Sequence, residues 1–393
     1  VTASQPPSWS EERIARLALA HVVEPADPAT WRDVATHGVE QTWASLRSPR
    51  SSSRWSPRAV VFDPEGAILR SERSGARFLI PGDEEWPEQL EVLGGCEPVQ
   101  ERCGVPVGLW VRGAGDLAAI ARSAVAMVGA RASTSYGDHM SMQLAHDLVM
   151  ARVPVVSGAA YGIDAAAHRG ALAARHGLPD GVTAAVLACG VDQVYPSAHA
   201  NLFEAITERG VLVSELPPGE HPTRLRFLSR NRLIASLSRA TVIVEAAYRS
   251  GARNTVTWAV ACGRHVMAVP GPVTSALSAT PNRLIRDHEA ELVADLDDVL
   301  ALLSPVGQDA LIGHQEPATL VDLLGETETI VLEAMPARGT IGVDELAIRA
   351  ALPVPRCLVE LESLTAKGLV REGDAGRWQL THRHLDRRRS VSR

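Results

Sequence analysis

Seven short apolar runs decide what this chain can become: "PVGLWVRG", "AVAMVGA", "VPVVSGA", "TAAVLACG", "VLVSEL", "TVIVEAA" and "HVMAVPG", spread from Pro106 to Gly271. Each is continuous rather than alternating, which is the pattern of a strand covered on both faces, and most are separated by Ala-rich helical segments. The fold class that follows is α/β: a Rossmann-like, largely parallel sheet with helices on both faces. In such sheets ligands gather beyond the carboxyl ends of the strands. The stretches "VGAR", "SGAAYG", "CGVD", "EAAYRSG" and "VPGPVT" all fall at strand ends.

The ends of the chain read differently. Residues 11 to 48 carry helical periodicity (Ile14, Leu17, Ala18; Trp31, Val34; Trp43, Leu46), and "RSPRSSSRWSPR" after them has the composition of a linker. Beyond Leu303, "ETETIVLEAM", "GVDELAIRAAL" and "VPRCLVELESLTAKG" read as three helices and "LVREGDAGRWQLTH" as two strands around a turn, the order of a winged helix. The expected organisation is a helical domain and linker over 1–56, a Rossmann-like domain over 57–305, a linker over 306–325, a winged helix over 326–382 and a basic tail over 383–393. Glu360 and Glu362 in the third helix would repel phosphate, so protein contact is expected there ahead of duplex reading.

A chain of 393 residues is long enough for such a set of domains. It has no run of about 18 apolar residues and no basic, apolar leader, so a cytoplasmic protein that does not enter membranes is expected. Its five cysteines are odd in number and form no C-x-x-C pair, which argues for buried thiols rather than disulfides or zinc. The histidines show no metal-ligand spacing, and no metal is expected.

The net charge of −7 argues against nucleic acid as a partner, but it averages over the whole surface. "RLRFLSRNRLIASLSR" places Arg224, Arg226, Arg230, Arg232 and Arg239 in one stretch without an acid. Phe227 lies among them, and backbone charge combined with a ring on which a base can stack suits a single strand.

Two Gly-bearing turns accompany the patch. In "VGARASTSYG" the backbone after Gly129 can approach an anion, the start of the next helix points N–H groups at it, and Arg131 and Ser133 add donors. In "SGAAYGIDAAAH", Ser157, Gly158 and Gly162 leave a strand end bare, and Asp164 is placed to cap the helix that follows. A Ser157/Asp164/His168 triad is disfavoured because no G-x-S-x-G elbow is present. Glu245, Ser250 and Gly251 close the cleft from another strand end, Glu245 ordering the loop through hydrogen bonds. No Walker A loop is present. A dinucleotide would need an acid about 20 residues past its glycines, where "MARVPVV" has none, so no cofactor is expected.

In this order, "VGARASTSYG", "SGAAYGIDAAAHRGAL", "LACGVDQVYP", "SELPPG", "RNRLIASLSRATVIVEAAYRSG", "GRHVMAVPG" and "NRLI" resemble the DprA/Smf family of DNA-processing proteins of bacterial natural transformation. The resemblance implies a single-stranded DNA-binding protein without catalysis, a homodimer, and delivery of RecA recombinase onto the strand. It places Gly129 and Arg131 on the family's phosphate turn, Ser157 and Gly158 on its second loop, and Arg230, Asn231 and Arg232 on its R-N-R. Arg224 falls where a basic residue commonly precedes that motif. The family's "FP" is "FL" here, "SAHANLF" follows "YP" where an Asn is usual, and "SGARNTVTWA" and "TPNRLIRDHEA" depart from the family's S-G-S-x-x-T-A and glycine-flanked segments. The alternative is an enzyme of related topology, a nucleoside-monophosphate phosphoribohydrolase, with Glu245 or Asp164 assisting glycosidic cleavage; its P-G-G-x-G-T-x-x-E motif is missing from "RSGARNTVTWA".

Overall fold

The computed structural model describes residues 9–174, 181–304, 324–373 and 376–381. The chain forms two compact units, Val1–Ala310 and Leu311–Arg393. The expected tail at 383–393, and all but the last two residues of the expected linker at 306–325, lie outside the described residues.

The first unit opens with five helices, α1 (Glu11–Val22), α2 (Pro28–His37), α3 (Val39–Arg47), α4 (Ser56–Val60) and α5 (Pro64–Arg73). Ser10, Asp27 and Asp63 cap α1, α2 and α5 by accepting from the backbone N–H three residues on, which satisfies donors that a helix start leaves unpaired. One face of α1 (Ala15, Leu19, Val22) packs with Val39, Leu46, Trp55 and Ala59; the other (Leu17, Ala20) packs on Phe78 and Trp110 of the sheet. The Pro/Ser/Arg-rich stretch therefore does more than connect, because its Trp55 is buried in that helical core.

The sheet strands are β1 (Arg77–Leu79), β2 (Leu109–Arg112), β3 (Val125–Val128), β4 (Val155–Ser157), β5 (Thr183–Val186), β6 (Val211–Ser214), β7 (Ala240–Ile243), β8 (His265–Ala268) and β9 (Glu291–Leu292). Their order is β1-β2-β6-β5-β4-β3-β7-β8-β9, parallel from β6 to β9 and antiparallel at the β1-β2-β6 edge. The interleaved helices are α6 (Leu117–Ala121), α7 (Ser135–Met150), α8 (Ile163–Ala173), α9 (Ala200–Arg209), α10 (Arg224–Ser236), α11 (Ala252–Ala261), α12 (Ala279–Arg286) and α13 (Leu296–Leu303). The continuous apolar runs are explained by β3: Val125 and Met127 enter one core, Ala126 and Val128 the other, so neither face meets water. Winding reverses where β3 lies between β4 and β7, and the strand ends there leave a crevice.

The second unit holds α14 (Glu326–Ala334), β10 (Ile341–Gly342), α15 (Val343–Ala350), α16 (Val354–Ala366), β11 (Val370–Glu372) and β12 (Arg377–Leu380). Its three strands form an antiparallel sheet in the order β10-β12-β11. Leu332, Leu346, Leu361, Leu364 and Trp378 fill the core. On α16, Glu360 is buried and paired with Arg356 at 2.8 Å, while Lys367 is held by Glu328 of α14. The helix therefore shows solvent Val359 and Glu362 rather than a row of free cations.

Candidate nucleic-acid interface

At the reversal point two clefts adjoin. The inner one, about 360 Å³, is walled by Gly129, Arg131, Asp164, Phe227, Arg230, Asn231, Ser250 and Gly251, with neighbouring apolar groups. The outer one, about 770 Å³, shares Arg131, Phe227, Ser250 and Gly251 and adds Arg224, Arg249, Arg253, Tyr195 and Tyr248. None of the residues lining the outer groove is acidic.

Phe227 joins the two. The Arg131 guanidinium lies 4.7 Å and that of Arg230 5.8 Å from its ring centroid, and Tyr195 tilts against it at 5.9 Å. Arg131 is exposed. Arg230 is 6% exposed, with Nε and Nη1 both lacking a hydrogen-bond partner. Burial lowers its pKa to about 10, Asp164 pulling it back up and Arg131 pushing it further down, so it remains a cation at neutral pH. A buried cation with open donors at a cleft wall calls for an anion. Gly158 makes room for it: a Cβ there would lie 1.6 Å from Arg230 Nη1.

Asp164 is buried, and burial holds its carboxyl above the ordinary range against the opposing pull of Arg230 and two backbone N–H groups. Those donors belong to Ala160 and Gly158, so Asp164 ties the β4–α8 loop together. The expected helix cap is corrected, because the cap position is Gly162, whose φ of +72° a side chain would oppose.

Other expected residues are drawn elsewhere. The start of α7, expected to cradle phosphate, is occupied by the protein's own carboxylate: Glu245 accepts from Thr134 N at 2.8 Å and from Thr134 Oγ1 at 2.6 Å. Ser133 gives its hydroxyl to Asp138 of the same turn. Ser157 is buried and donates to the Met127 carbonyl at 2.6 Å, which leaves no hydroxyl for a strand or a triad. Arg226 is gripped by Glu24 and Glu220. Arg232 is fully buried in a two-pronged pair with Glu215, at 2.5 and 2.7 Å. The reason is helical geometry: residues two apart on a helix point about 200° apart, so Arg230 and Arg232 cannot line one trough.

Arg249, Arg253, Tyr195 and Tyr248 were missed by sequence reasoning, although "EAAYRSG", marked there as a strand end, carries Tyr248 and Arg249. Arg253 faces Glu289 at 3.9 Å, a loose contact, and Arg283 lies over the Tyr248 ring at 5.3 Å. The α10–α11 wall is braced by amides: Asn231 donates to Asn254 at 3.1 Å, and Asn254 donates to Gln100 at 3.3 Å.

The family model described as DNA recombination-mediator protein A matches residues 77–304, the span that contains every strand of this sheet and both clefts. The chain belongs to the DprA/Smf family. Among its relatives, the putative DNA processing protein DprA of Mycobacterium tuberculosis is 45% identical over 311 residues, covering 78% of each chain. Protein Smf of Escherichia coli is 33% identical over 350 residues, covering 84% of each. The X-ray structure of DprA from Streptococcus pneumoniae superimposes with a TM-score of 0.60 at 28% identity, over 74% of this chain and 97% of that one. In this DprA/Smf chain, the strand winding thus comes with a known fold.

Proposed function

We propose that this protein binds single-stranded DNA along the outer groove, with one phosphate drawn toward Arg230, and that it acts by holding the strand rather than by catalysis. The reading rests on one observation: Arg131, Arg224, Arg249 and Arg253 line a groove without a carboxylate in its wall, with Tyr195, Phe227 and Tyr248 beside them. Arginines track the backbone, and rings stack on unpaired bases regardless of sequence. Against glycosidic cleavage, Glu245 is engaged by Thr134 and Asp164 by the loop it orders.

Membership of a recombination-mediator family supports a further step, in which the bound strand is passed to RecA recombinase in the cytoplasm by a homodimer of this chain. The second unit then serves protein contact, since the basic ends of α16 are already engaged by Glu360 and Glu328.

The test is a titration with labelled oligo-dT and with a duplex of equal length. Wild type should favour the single strand, and Arg131→Ala combined with Arg249→Ala should weaken binding at least tenfold across sequences. Equal affinity for both nucleic acids, or a double variant that binds like wild type, overturns the reading.

A further inference from the structure

The chain brings two cysteines together across 166 residues of sequence. Cys96 follows the 3-10 helix at Glu88–Gly94, Cys262 caps the end of α11, and their sulfurs lie 3.7 Å apart as free thiols. Cys96 Sγ lies 3.2 Å from the carbonyls of both Val92 and Ala261, which compete for its one S–H and hold it over the end of α11. Arg264 fixes the same neighbourhood by donating to the carbonyls of Gln89 and Ser236. Cys96 is half-buried, whereas Cys262 is 4% exposed.

We propose that Cys96 and Cys262 are a peroxide-reactive pair that closes into a reversible intramolecular disulfide. Cys96, the sulfur that solvent reaches, is attacked first. Its thiolate attacks the terminal oxygen of a hydroperoxide ROOH, an S–O bond forming as the O–O bond breaks; this gives Cys96 sulfenic acid and the alkoxide RO−, which takes up the proton released by the thiol, so that hydrogen peroxide yields water. The Cys262 sulfur then attacks the Cys96 sulfur. The S–O bond breaks, and the departing hydroxide leaves as water with the Cys262 proton. Two thiols are oxidised by two electrons in all, and one peroxide is reduced.

The division of labour follows from the surroundings. Burial and the neighbouring Cys96 push the Cys262 thiol up, which keeps it out of the first step; in the second, the hydroxide leaving the sulfenic sulfur takes its proton. The sulfurs must approach from 3.7 Å to about 2.05 Å, a movement that the turn after the 3-10 helix can make. The bond would add a covalent tie between α11 and the segment that reaches Gln100, which α11 already holds through Asn254.

The experiment is peptide mapping of the full chain treated with hydrogen peroxide, alkylated while unfolded and digested with trypsin. Peptide 78–102 should be recovered joined to peptide 254–264, and dithiothreitol should release both. In Cys262→Ser, Cys96 should stop at the sulfenic acid and react with dimedone. Recovery of Cys262 fully alkylated beside a Cys96 sulfinic acid, or a cross-link between the Cys96 residues of two chains, overturns the proposal. The wild-type map decides by itself should the variant fold poorly.

Discussion

The sharpest consequence of the groove is its response to salt. Five arginines line the two clefts, Arg131, Arg224, Arg230, Arg249 and Arg253. If each neutralises one phosphate, the logarithm of the single-strand affinity should fall with the logarithm of salt concentration at a slope of about −3.5, since each phosphate contributes roughly −0.7. Raising salt from about 50 to about 200 mM would then weaken binding on the order of 130-fold. Arg224→Ala with Arg249→Ala removes two contacts from the outer groove, so the slope should flatten to about −2 and the same salt step should weaken binding only ~20-fold. Fluorescence anisotropy of a labelled oligo-dT across a salt series measures both slopes. Parallel lines for wild type and variant would refute the assignment of those arginines to phosphate, whatever the change in affinity at one salt concentration.

Three further outcomes follow from the same packing. Gly158→Ala drives a methyl into the Arg230 guanidinium and should destabilise the fold by about 1–3 kcal/mol while weakening strand binding, read from urea unfolding and anisotropy; unchanged values for both would show that the guanidinium moves freely. Glu215→Ala leaves Arg232 buried without its partner and should lower stability by about 3–5 kcal/mol in thermal melts, yet leave the salt slope of the folded protein alone. In the second unit, the Lys367 ammonium, aided by the Ser363 hydroxyl and Gly325 N–H, holds the Glu328 carboxyl down to about 2. A depressed carboxyl stabilises above its unfolded value of 4.5 and loses that contribution as pH falls toward about 2. Protection factors against hydrogen exchange in peptides of 326–372, taken relative to the intrinsic rate at each pH, should therefore fall across that window in wild type, and Glu328→Gln should remove most of that fall.

The sheet was legible because burial on both faces writes itself as unbroken apolar runs, and β3 to β8 each follow from one. The short elements β9 and β10, only two residues each, carry no such signature. Arg131, Phe227 and Arg230 could be read as site residues because they sit beside strand ends and in a cluster without acids. Arg232 and Arg226 could not be sorted from them, since the acids that engage them, Glu215, Glu24 and Glu220, lie outside that stretch and meet them only in the folded chain. The same holds for Glu245 at Thr134, 111 residues away in sequence. Proximity in sequence reported composition, whereas the sign and availability of each charge depended on long-range pairing.

The braced amides Asn231, Asn254 and Gln100 span three separate segments. They act as a ruler: the spacing of one bank of the trough is set by side-chain length, and widening it means breaking bonds that neither backbone nor solvent replaces without loss. On the proposed reading, a nucleotide chain that enters would meet a bank whose spacing is set by three neutral groups as well as the cations that attract it.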